Sequence, residues 1–275
     1  MHEILKHLPA GARILDLGCA GGSFPADLTK ALTVRFDKER PNARPDAHVV
    51  LGDAASLPFT SSVFDAIICN HSLEHFRDLR RSLEEIGRVL KPEGSLFISV
   101  PDGGTLCDRI YRWLARGGGH VNDFRSAETL AGMVSRFSSV PHKGTRTLCT
   151  SFSFMNRKNP HPPQPKRMIL FFWGSEKFLV VFNAFLRLYD RWFRGRASVY
   201  GWALYFGNLR EPIMHEASVN VCVQCGQGHP SNWLKSLSAV RGYPLRFYRC
   251  PTCSTFNFFV RDEWYKHLWQ KPTLG

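Results

Sequence analysis

Four cysteines in the last quarter of the chain have the spacing of a metal site. They form two C-x-x-C pairs, Cys222 with Cys225 and Cys250 with Cys253, separated by residues 226–249. Two thiolates at this spacing on a tight turn can face one ion, and two such turns complete a tetrahedral shell of four sulfurs. The pattern predicts a structural Zn²⁺ site, because a closed shell leaves no open position for catalysis.

A second group of residues points to a nucleotide-like cofactor. In "ILDLGCAGGSF", residues 14–24, an apolar run reaches Asp16 and is followed by Gly18, Gly21 and Gly22. This pattern predicts a buried strand that leads into a glycine-rich turn, where the backbone bends sharply and a ligand approaches closely. The G-x-G-x-x-G spacing of dinucleotide sites is absent, and a tight turn without a ligand is the structural alternative.

Alternating strands and helices must position this turn. Strands are predicted at residues 13–16, 33–37, 48–53, 64–70 and 95–101, with an amphipathic helix in "DLRRSLEEIGRVLKPEG" and a short helix at residues 23–32. Pro41 and Pro45 exclude a regular crossover helix between the second and third strands. The alternation predicts an α/β fold with a doubly wound, mostly parallel sheet.

Four motifs in combination carry a family resemblance: D-x-G-C-x-G-G, G-D-A-x-x-L-P-F, F-D-A-I and R-V-L-K-P-x-G. The chain resembles the class I S-adenosylmethionine-dependent methyltransferases, particularly the methyltransferase type 11 family, over residues 13–101 and more weakly to about residue 140. The resemblance implies a Rossmann-like methyltransferase sheet whose last strand is antiparallel. The four-cysteine unit looks like a small C-terminal zinc ribbon.

The resemblance also implies which residues bind S-adenosylmethionine. In the turn, these residues are Asp16, Gly18, Ala20 and Gly22. Beyond the turn, Asp37 would bind the ribose hydroxyls, and Asp53 and the amide of Ala54 would bind the adenine. Asn70 and His71 would lie beside the methionine part. Ala20 stands where the family usually has glycine, which adds one methyl group close to the cofactor.

Two histidines are candidates for a general base, because imidazole titrates near neutral pH. His71 follows the fourth strand, and His120 follows three glycines in a loop that could swing over the site. A packing or hydrogen-bonding role is the alternative for both, and Glu74 and His75 are interpreted as structural. The N/D-P-P-Y/F signature of enzymes that methylate base amines is absent at the end of the fourth strand.

The predicted domains are a methyltransferase domain at residues 1–212 and the four-cysteine unit at residues 213–275. A helical insertion at about 157–197 interrupts the first of these and is expected to emerge over the active site. One face of its helix carries the apolar residues Phe178, Val181, Phe182, Phe185, Tyr189 and Trp192. The other carries Asn183, Arg187, Asp190, Arg191 and Arg194. We expect either a lid whose polar face is solvated, or a peripheral membrane contact or grip on an apolar substrate tail through residues 168–194.

Composition restricts the partners and the compartment. The formal net charge is +13, which permits RNA, an anionic membrane surface or a phosphorylated substrate. Scattered cysteines beside paired ones suggest a reducing compartment, and "MHEILKHLPAG" does not resemble a signal peptide. We therefore expect a cytoplasmic protein with peripheral contact at the inner membrane face. The sequence does not indicate an oligomeric state.

Three functions follow, in order of preference. The first is methyl transfer from S-adenosylmethionine to a hydroxyl of a small or lipid-linked metabolite, of the sugar or glycan type. The second is methylation of RNA, with the basic surface and the zinc ribbon as the binding elements. The third is a catalytically silent binding module that keeps the cofactor fold.

Overall fold

The computed structural model describes residues 1–24, 28–39, 48–114, 119–159, 174–210 and 218–268. Three segments discussed above lie partly or wholly outside the described residues. They are the predicted helix at residues 23–32, the segment with Pro41 and Pro45, and the start of the insertion. The chain divides into two compact units. The first comprises Met1–Pro101, His120–Thr145 and Trp202–Met214, and the second comprises Asp102–Gly119, Arg146–Gly201 and His215–Gly275.

Seven strands form the principal sheet. They are β1 Arg13–Leu17, β2 Leu32–Asp37, β3 His48–Leu51, β4 Phe64–Asn70, β5 Leu90–Pro101, β6 His142–Cys149 and β7 Val199–Gly207. Their order across the sheet is β3-β2-β1-β4-β5-β7-β6. The strands from β3 to β5 pair in parallel, and the sheet ends with an antiparallel strand. The expected doubly wound methyltransferase sheet is confirmed.

The strand order reverses at β1, which pairs with β2 on one side and with β4 on the other. Chain connections therefore leave β1 and β4 in opposite directions, and a crevice opens beyond the carboxyl ends of the two strands. The strands that form this edge are continuous apolar runs, as expected for parallel strands that are covered on both faces.

Six helices lie among the described residues. They are α1 His2–Leu5, α2 Leu79–Val89, α3 Leu106–Leu114, α4 Ala127–Ser138, α5 Glu176–Phe193 and α6 Ser231–Ser236. Helix α4 begins after its N-cap Ser126, whose side chain accepts a hydrogen bond from Thr129 N. Helix α2 ends at Val89, earlier than predicted, and Leu90 begins β5. Pro92 disfavours helical backbone at Lys91, which explains the early end.

Helices α2 and α4 pack against each other beside the sheet of the first unit. A Cβ at Gly87 of α2 would lie 2.0 Å from the carbonyl oxygen of Ser138, so the close approach of the helices requires glycine there. The core includes Leu15, Ile67 and Ile98 from the strands and Leu83 and Val134 from the helices. This core fixes the strands whose ends carry the candidate cofactor residues.

The second unit is organised around α5, and its polar face is the buried one. Arg187 is 3 % exposed and Asp190 is 0 % exposed. An Nη of Arg187 donates to the carbonyl oxygen of Thr150 at 2.8 Å, and its guanidinium lies over the Tyr265 ring. Asp190 accepts from the amides of Ala197 and Ser198 and from the Tyr265 hydroxyl. Because backbone groups and a ring surround these charges, they can be buried.

The aromatic face of α5 is exposed instead. Phe185 is 65 % exposed and Trp192 is 70 % exposed, and Val181, Tyr189 and Phe193 are exposed as well. The expectation of a solvated polar face is wrong for Asn183, Arg187 and Asp190, which are buried, whereas Arg191 and Arg194 are exposed as expected. Leu179, Val180 and Leu186 lie on the same side as the polar residues and draw that side into the core.

The four-cysteine segment folds into two small sheets. Strands β8 Asn220–Val221 and β9 Gly228–His229 form one hairpin, and β10 Val240–Arg241, β11 Phe247–Arg249 and β12 Phe256–Phe258 form a three-stranded sheet. Both sheets are antiparallel. Short antiparallel hairpins of this kind agree with the expected ribbon.

This segment shares its core with the insertion and with the residues just before it. The Ser151 hydroxyl donates to the Cys222 carbonyl at 2.7 Å, and Asn156 Nδ2 donates to the Val223 carbonyl at 2.8 Å. Helix α5 also packs against β12. The compact unit therefore includes both the insertion and the cysteines, a division that differs from the expected boundary between residues 212 and 213.

Among the described residues, no helix combines the length and the hydropathy required to cross a bilayer.

Replacing Arg187 with alanine is expected to destabilise the second unit by about 3 kcal/mol, because it leaves buried polar groups without a partner. Chemical denaturation of the purified protein, followed by tryptophan fluorescence, should show a lower midpoint. Lys177→Ala on the exposed surface of the same helix is the control, with an expected change below about 0.5 kcal/mol. Equal midpoints for the two variants would contradict the buried network.

Candidate cofactor and metal sites

The turn after β1 is held to the end of β4 by Ser72. This buried hydroxyl lies 3.1 Å from the carbonyl oxygen of Leu17, 3.0 Å from that of Gly18 and 3.1 Å from that of Asn70. Gly18 has a φ of +68°, and a Cβ there would lie 2.4 Å from the Cβ of Ser72. Glycine is therefore required at position 18 both by its backbone conformation and by this close approach.

Asp16 offers a buried acceptor beneath the turn. It is 1 % exposed, and its Oδ2 accepts from the amide of Ser23 at 2.9 Å. Its Oδ1 is buried and has no hydrogen-bond partner among the described residues. Burial raises the pKa of this carboxyl above its usual value, although the Ser23 bond and Arg35 oppose the rise. The free oxygen suits a ligand that donates a hydrogen bond, such as an amino group.

Ala20 lies in the left-handed region with a φ of +42°. A residue with a Cβ is strained by about 1–2 kcal/mol in this region, so the usual glycine would be less strained. The amide of Ala20 donates to Asp37 Oδ2 at 2.8 Å, which holds the turn against the end of β2. A Cβ at the neighbouring Gly21 would meet no atom of the described residues within 4 Å, so these residues leave this side of the turn open.

Asp37 and Asp53 lie at the ends of adjacent strands. The amide of Gly52 donates to the carbonyl oxygen of Asp37 at 3.0 Å, and this bond joins the ends of β2 and β3. Asp53 follows immediately, is exposed, and accepts from the amide of Ala55 at 2.9 Å. Ala54, which lies between Asp53 and Ala55, packs into the core. The order of these carboxylates along the sheet edge agrees with the arrangement implied by the resemblance.

Asn70 is the last residue of β4, and His71 follows it. Ser99 of β5 donates to Asn70 Oδ1 at 2.6 Å, and its carbonyl accepts from the His71 amide at 3.0 Å. His71 has a left-handed backbone with a φ of +53°. Burial, together with the nearby His120 and His75, lowers the pKa of His71 to about 4. His71 is therefore neutral at pH 7 and has little tendency to accept a proton.

The structure brings His120 to the same place, although it lies far along the chain. The imidazoles of His75 and His120 meet edge to face with their centroids 5.1 Å apart. The amides of Val121 and Asn122 donate to the carbonyl of Glu74 at 2.8 and 3.0 Å. The expected loop that swings over the site is instead hydrogen-bonded to the turn after β4 at Val121 and Asn122.

A separate cleft of about 230 Å³ lies at the opposite end of the sheet and is lined by Glu3, His7, Asp65, Glu93 and Asn208 among others. It contains none of the predicted site residues. We therefore place the candidate cofactor site at the β1–β4 edge, where the donor and acceptor groups converge.

The four cysteines of the second unit meet as predicted. The Sγ atoms of Cys222 and Cys253 are 3.5 Å apart, and those of Cys225 and Cys250 are 3.7 Å apart. All four sulfurs lie within 4.8 Å of one another. A tetrahedral Zn²⁺ ion with Zn–S bonds of about 2.3 Å requires sulfurs about 3.8 Å apart, so the geometry fits this ion.

The two C-x-x-C turns have the same backbone conformation. Gly226 follows the first pair with a φ of +71°, and Ser254 follows the second with a φ of +62°. The amide of Gly226 donates to the Cys222 carbonyl, and the amide of Ser254 donates to the Cys250 carbonyl in the same way. The glycine after the first pair is visible in the sequence, whereas the matching serine carries no comparable signal.

Polar groups around the sulfurs complete this site. Asn257 Nδ2 lies 3.5 Å and the Gln224 amide 3.4 Å from Cys222 Sγ. His229 Nε2 lies 3.3 Å from Cys250 Sγ. Such donors orient ligands and stabilise thiolates in metal sites. Neither Asn257 nor His229 was identified from the sequence, because each approaches the sulfurs only through the folded hairpins.

Tyr248 is not available to stack on an RNA base, because its ring is 1 % exposed and packs with the cysteines. Tyr243, Arg241 and Arg249 remain exposed.

A family model described as "Methyltransferase domain" matches residues 15–98. The Malonyl-[acyl-carrier protein] O-methyltransferase of Methylococcus capsulatus is 30% identical over 141 residues, which cover 46% of this chain and 51% of the relative. Demethylmenaquinone methyltransferase of Corynebacterium kroppenstedtii is 35% identical over 94 residues, 32% of this chain and 41% of the relative. The chain thus spans about half the length or less of these curated relatives.

Another relative has a different activity in its name. The human mitochondrial arginine-hydroxylase NDUFAF5 is 29% identical over 157 residues, 50% of this chain and 43% of the relative. Among solved structures, the 1,6-didemethyltoxoflavin-N1-methyltransferase of Burkholderia thailandensis aligns with a TM-score of 0.45 at 16% identity, over 74% of this chain and 75% of that chain. A SAM dependent methyltransferase of Archaeoglobus fulgidus aligns with a TM-score of 0.49 at 17% identity, over 74% and 87%.

The matched residues 15–98 cover most of β1, all of β2 to β4 and most of β5, and they include every predicted cofactor residue. The strand order, the glycine turn and this match agree with one another. Residues 15–98 of the chain therefore form a methyltransferase domain of the kind that the glycine turn and the sheet indicate.

Proposed function

We propose that this protein transfers a methyl group from S-adenosylmethionine to a hydroxyl of a small or lipid-linked metabolite, of the sugar or glycan type. The observation that carries the cofactor assignment is the buried, unpartnered Oδ1 of Asp16 beside the open turn. This oxygen would accept a hydrogen bond from the amino group of the methionine part. Asp37 would hold the ribose hydroxyls, and Asp53 with the Ala54 amide would hold the adenine.

The bound cofactor would supply an activated methyl group, and the protein would supply alignment and a proton acceptor. Methyl transfer is an in-line displacement, so the acceptor hydroxyl must approach from the side opposite to the leaving sulfur. His71 is a weak base because its pKa is about 4. His120 is therefore the preferred group to accept the hydroxyl proton.

Asp37→Asn is expected to weaken S-adenosylmethionine binding about 10- to 100-fold, because a charge-assisted hydrogen bond to the ribose is lost. Asparagine keeps an oxygen that can still accept from the Ala20 amide. Isothermal titration calorimetry measures the change, with Glu84→Gln, a half-buried carboxylate of α2 that pairs with Arg80 and Arg81, as the control. An unchanged Kd for Asp37→Asn would remove Asp37 from the cofactor site.

The exposed face of α5 supports a lipid-linked acceptor. Aromatic side chains occupy it, and Arg191, Arg194 and Arg196 are exposed at its C-terminal end. Bulky apolar groups beside cations are typical of helices that lie at an anionic membrane surface. We accordingly propose a cytoplasmic protein that contacts the inner membrane face through the described part of residues 168–194.

The double variant Phe185→Ser/Trp192→Ser is expected to lose binding to vesicles of phosphatidylcholine and phosphatidylglycerol, because it removes most of the apolar contact area. Vesicle flotation measures this binding. Tyr243→Ser is the matched control, since it removes an exposed aromatic ring outside α5. The same proteins are then supplied with methyl-labelled S-adenosylmethionine and lipid, small-molecule and RNA fractions of a cell extract.

Label in the lipid or small-molecule fraction supports the proposal, and loss of lipid labelling in the double variant supports the membrane contact. Wild-type flotation equal to that of the double variant contradicts this contact. Methyl label that is confined to RNA, and is reduced by Tyr243→Ser, would favour the RNA alternative. The observations that support this alternative are the net charge of +13 and the exposed Arg241 and Arg249. Absence of S-adenosylmethionine binding would favour a silent module.

We also propose that Cys222, Cys225, Cys250 and Cys253 bind one structural Zn²⁺ ion. The support is the near-tetrahedral spacing of the sulfurs and the donors around them. Because the ribbon shares a core with α5, the ion would stabilise the whole second unit.

Cys253→Ser is expected to lose most of the bound zinc and to lower the melting temperature, because three thiolates hold the ion much less tightly than four. Metal analysis after gel filtration should find one zinc per chain in the wild type. The control is Cys69→Ala, which replaces a buried cysteine of the first unit; this variant should still bind one zinc per chain. A folded wild type without zinc, or full zinc content in Cys253→Ser, would refute the site.

A further inference from the structure

Glu74, His75 and His120 form a second group of potential metal ligands, in the first unit. One ligand atom from each side chain lies within 4.8 Å of the other two. Glu74 is 2 % exposed, His120 is half-buried and His75 is exposed. The group is therefore anchored in the protein on one side and open to solvent on the other, as a site that admits an ion requires.

Hydrogen bonds hold the two segments of this group together. Besides the two backbone bonds to the Glu74 carbonyl, Asn122 Nδ2 donates to the carbonyl of Leu73 at 3.1 Å and to that of Phe76 at 2.7 Å. Four hydrogen bonds thus fix the segment after His120 on the turn that carries Glu74 and His75. This arrangement keeps the ligand atoms near one another before any ion binds, which reduces the ordering cost of binding.

The donor set indicates the kind of ion. Two imidazoles and one carboxylate suit first-row divalent metals such as Mn²⁺, Fe²⁺ and Co²⁺, whereas four thiolates suit Zn²⁺. Three protein ligands leave coordination positions open for oxygen atoms of water or of another molecule. The two groups of ligands in this chain thus differ in chemistry as well as in location.

We propose that Glu74, His75 and His120 bind a divalent transition-metal ion whose open positions take an oxygen of the methyl acceptor. The turn that carries Glu74 and His75 closely follows Asn70 and His71, which are expected beside the methionine part and hence near the methyl group. A bound divalent ion lowers the pKa of an oxygen ligand, so the acceptor hydroxyl would release its proton to water and take the methyl group as an alkoxide. With the ion bound, His120 would act as a ligand and would not serve as the general base. The role of the ion rests on the proposed function, whereas the ion site itself does not.

Mn²⁺ and Co²⁺ are the probes, added to protein that already holds zinc. Both bind less tightly than Zn²⁺ in the Irving–Williams order, so they should leave the cysteine site occupied by zinc. Electron paramagnetic resonance of free Mn²⁺ and calorimetry with Co²⁺ should show one site per chain. His75→Ala and His120→Ala should each weaken binding at least tenfold, while His142→Ala, a histidine outside the group, should not.

Absence of binding by both probes, or equal binding in all three variants and the wild type, would overturn the site. Circular dichroism and S-adenosylmethionine binding show that each variant is folded. Ion binding without methyl transfer to any fraction would leave the site standing and refute the proposed function. Methyl transfer that a chelator does not slow, in protein that binds the probes, would refute the role of the ion at the acceptor.

Discussion

The reversal of strand order at β1 is the constraint on which the first unit depends. Because β1 has β2 on one side and β4 on the other, the segments that follow these strands must converge at one edge. Ser72 closes the base of this edge by hydrogen bonding to both strand ends, and Gly18 makes room for it. The carboxylates of Asp16 and Asp37 take their positions from this junction.

The sequence predicts this part of the molecule well because its determinants are local. Continuous apolar runs mark parallel strands, and acids or glycines mark their ends, so Asp16, Asp37 and Asp53 could be placed without coordinates. The position of His120 could not, because it depends on hydrogen bonds between Asn122 and the distant residues Leu73 and Phe76. Three glycines before His120 suggest a mobile loop, yet the segment that follows is held in place.

Helix α5 shows a different limit. Helical periodicity separates an aromatic face from a polar face, but it does not say which of them faces the core. Burial of Arg187 and Asp190 depends on Thr150, Ser198 and Tyr265, which lie on other segments. Hydropathy alone favours the aromatic face as the buried one, and the partners that reverse this choice are visible only after the chain has folded.

The shared core of the insertion and the ribbon has an evolutionary consequence. Ser151 and Asn156 donate to the backbone of Cys222 and Val223, and Tyr265 donates to Asp190 of α5. A lineage that lost the ribbon would expose the charged face of α5, and one that lost the insertion would expose the inner side of the ribbon. The two segments are therefore expected to be inherited as one unit, although they are separate stretches of sequence.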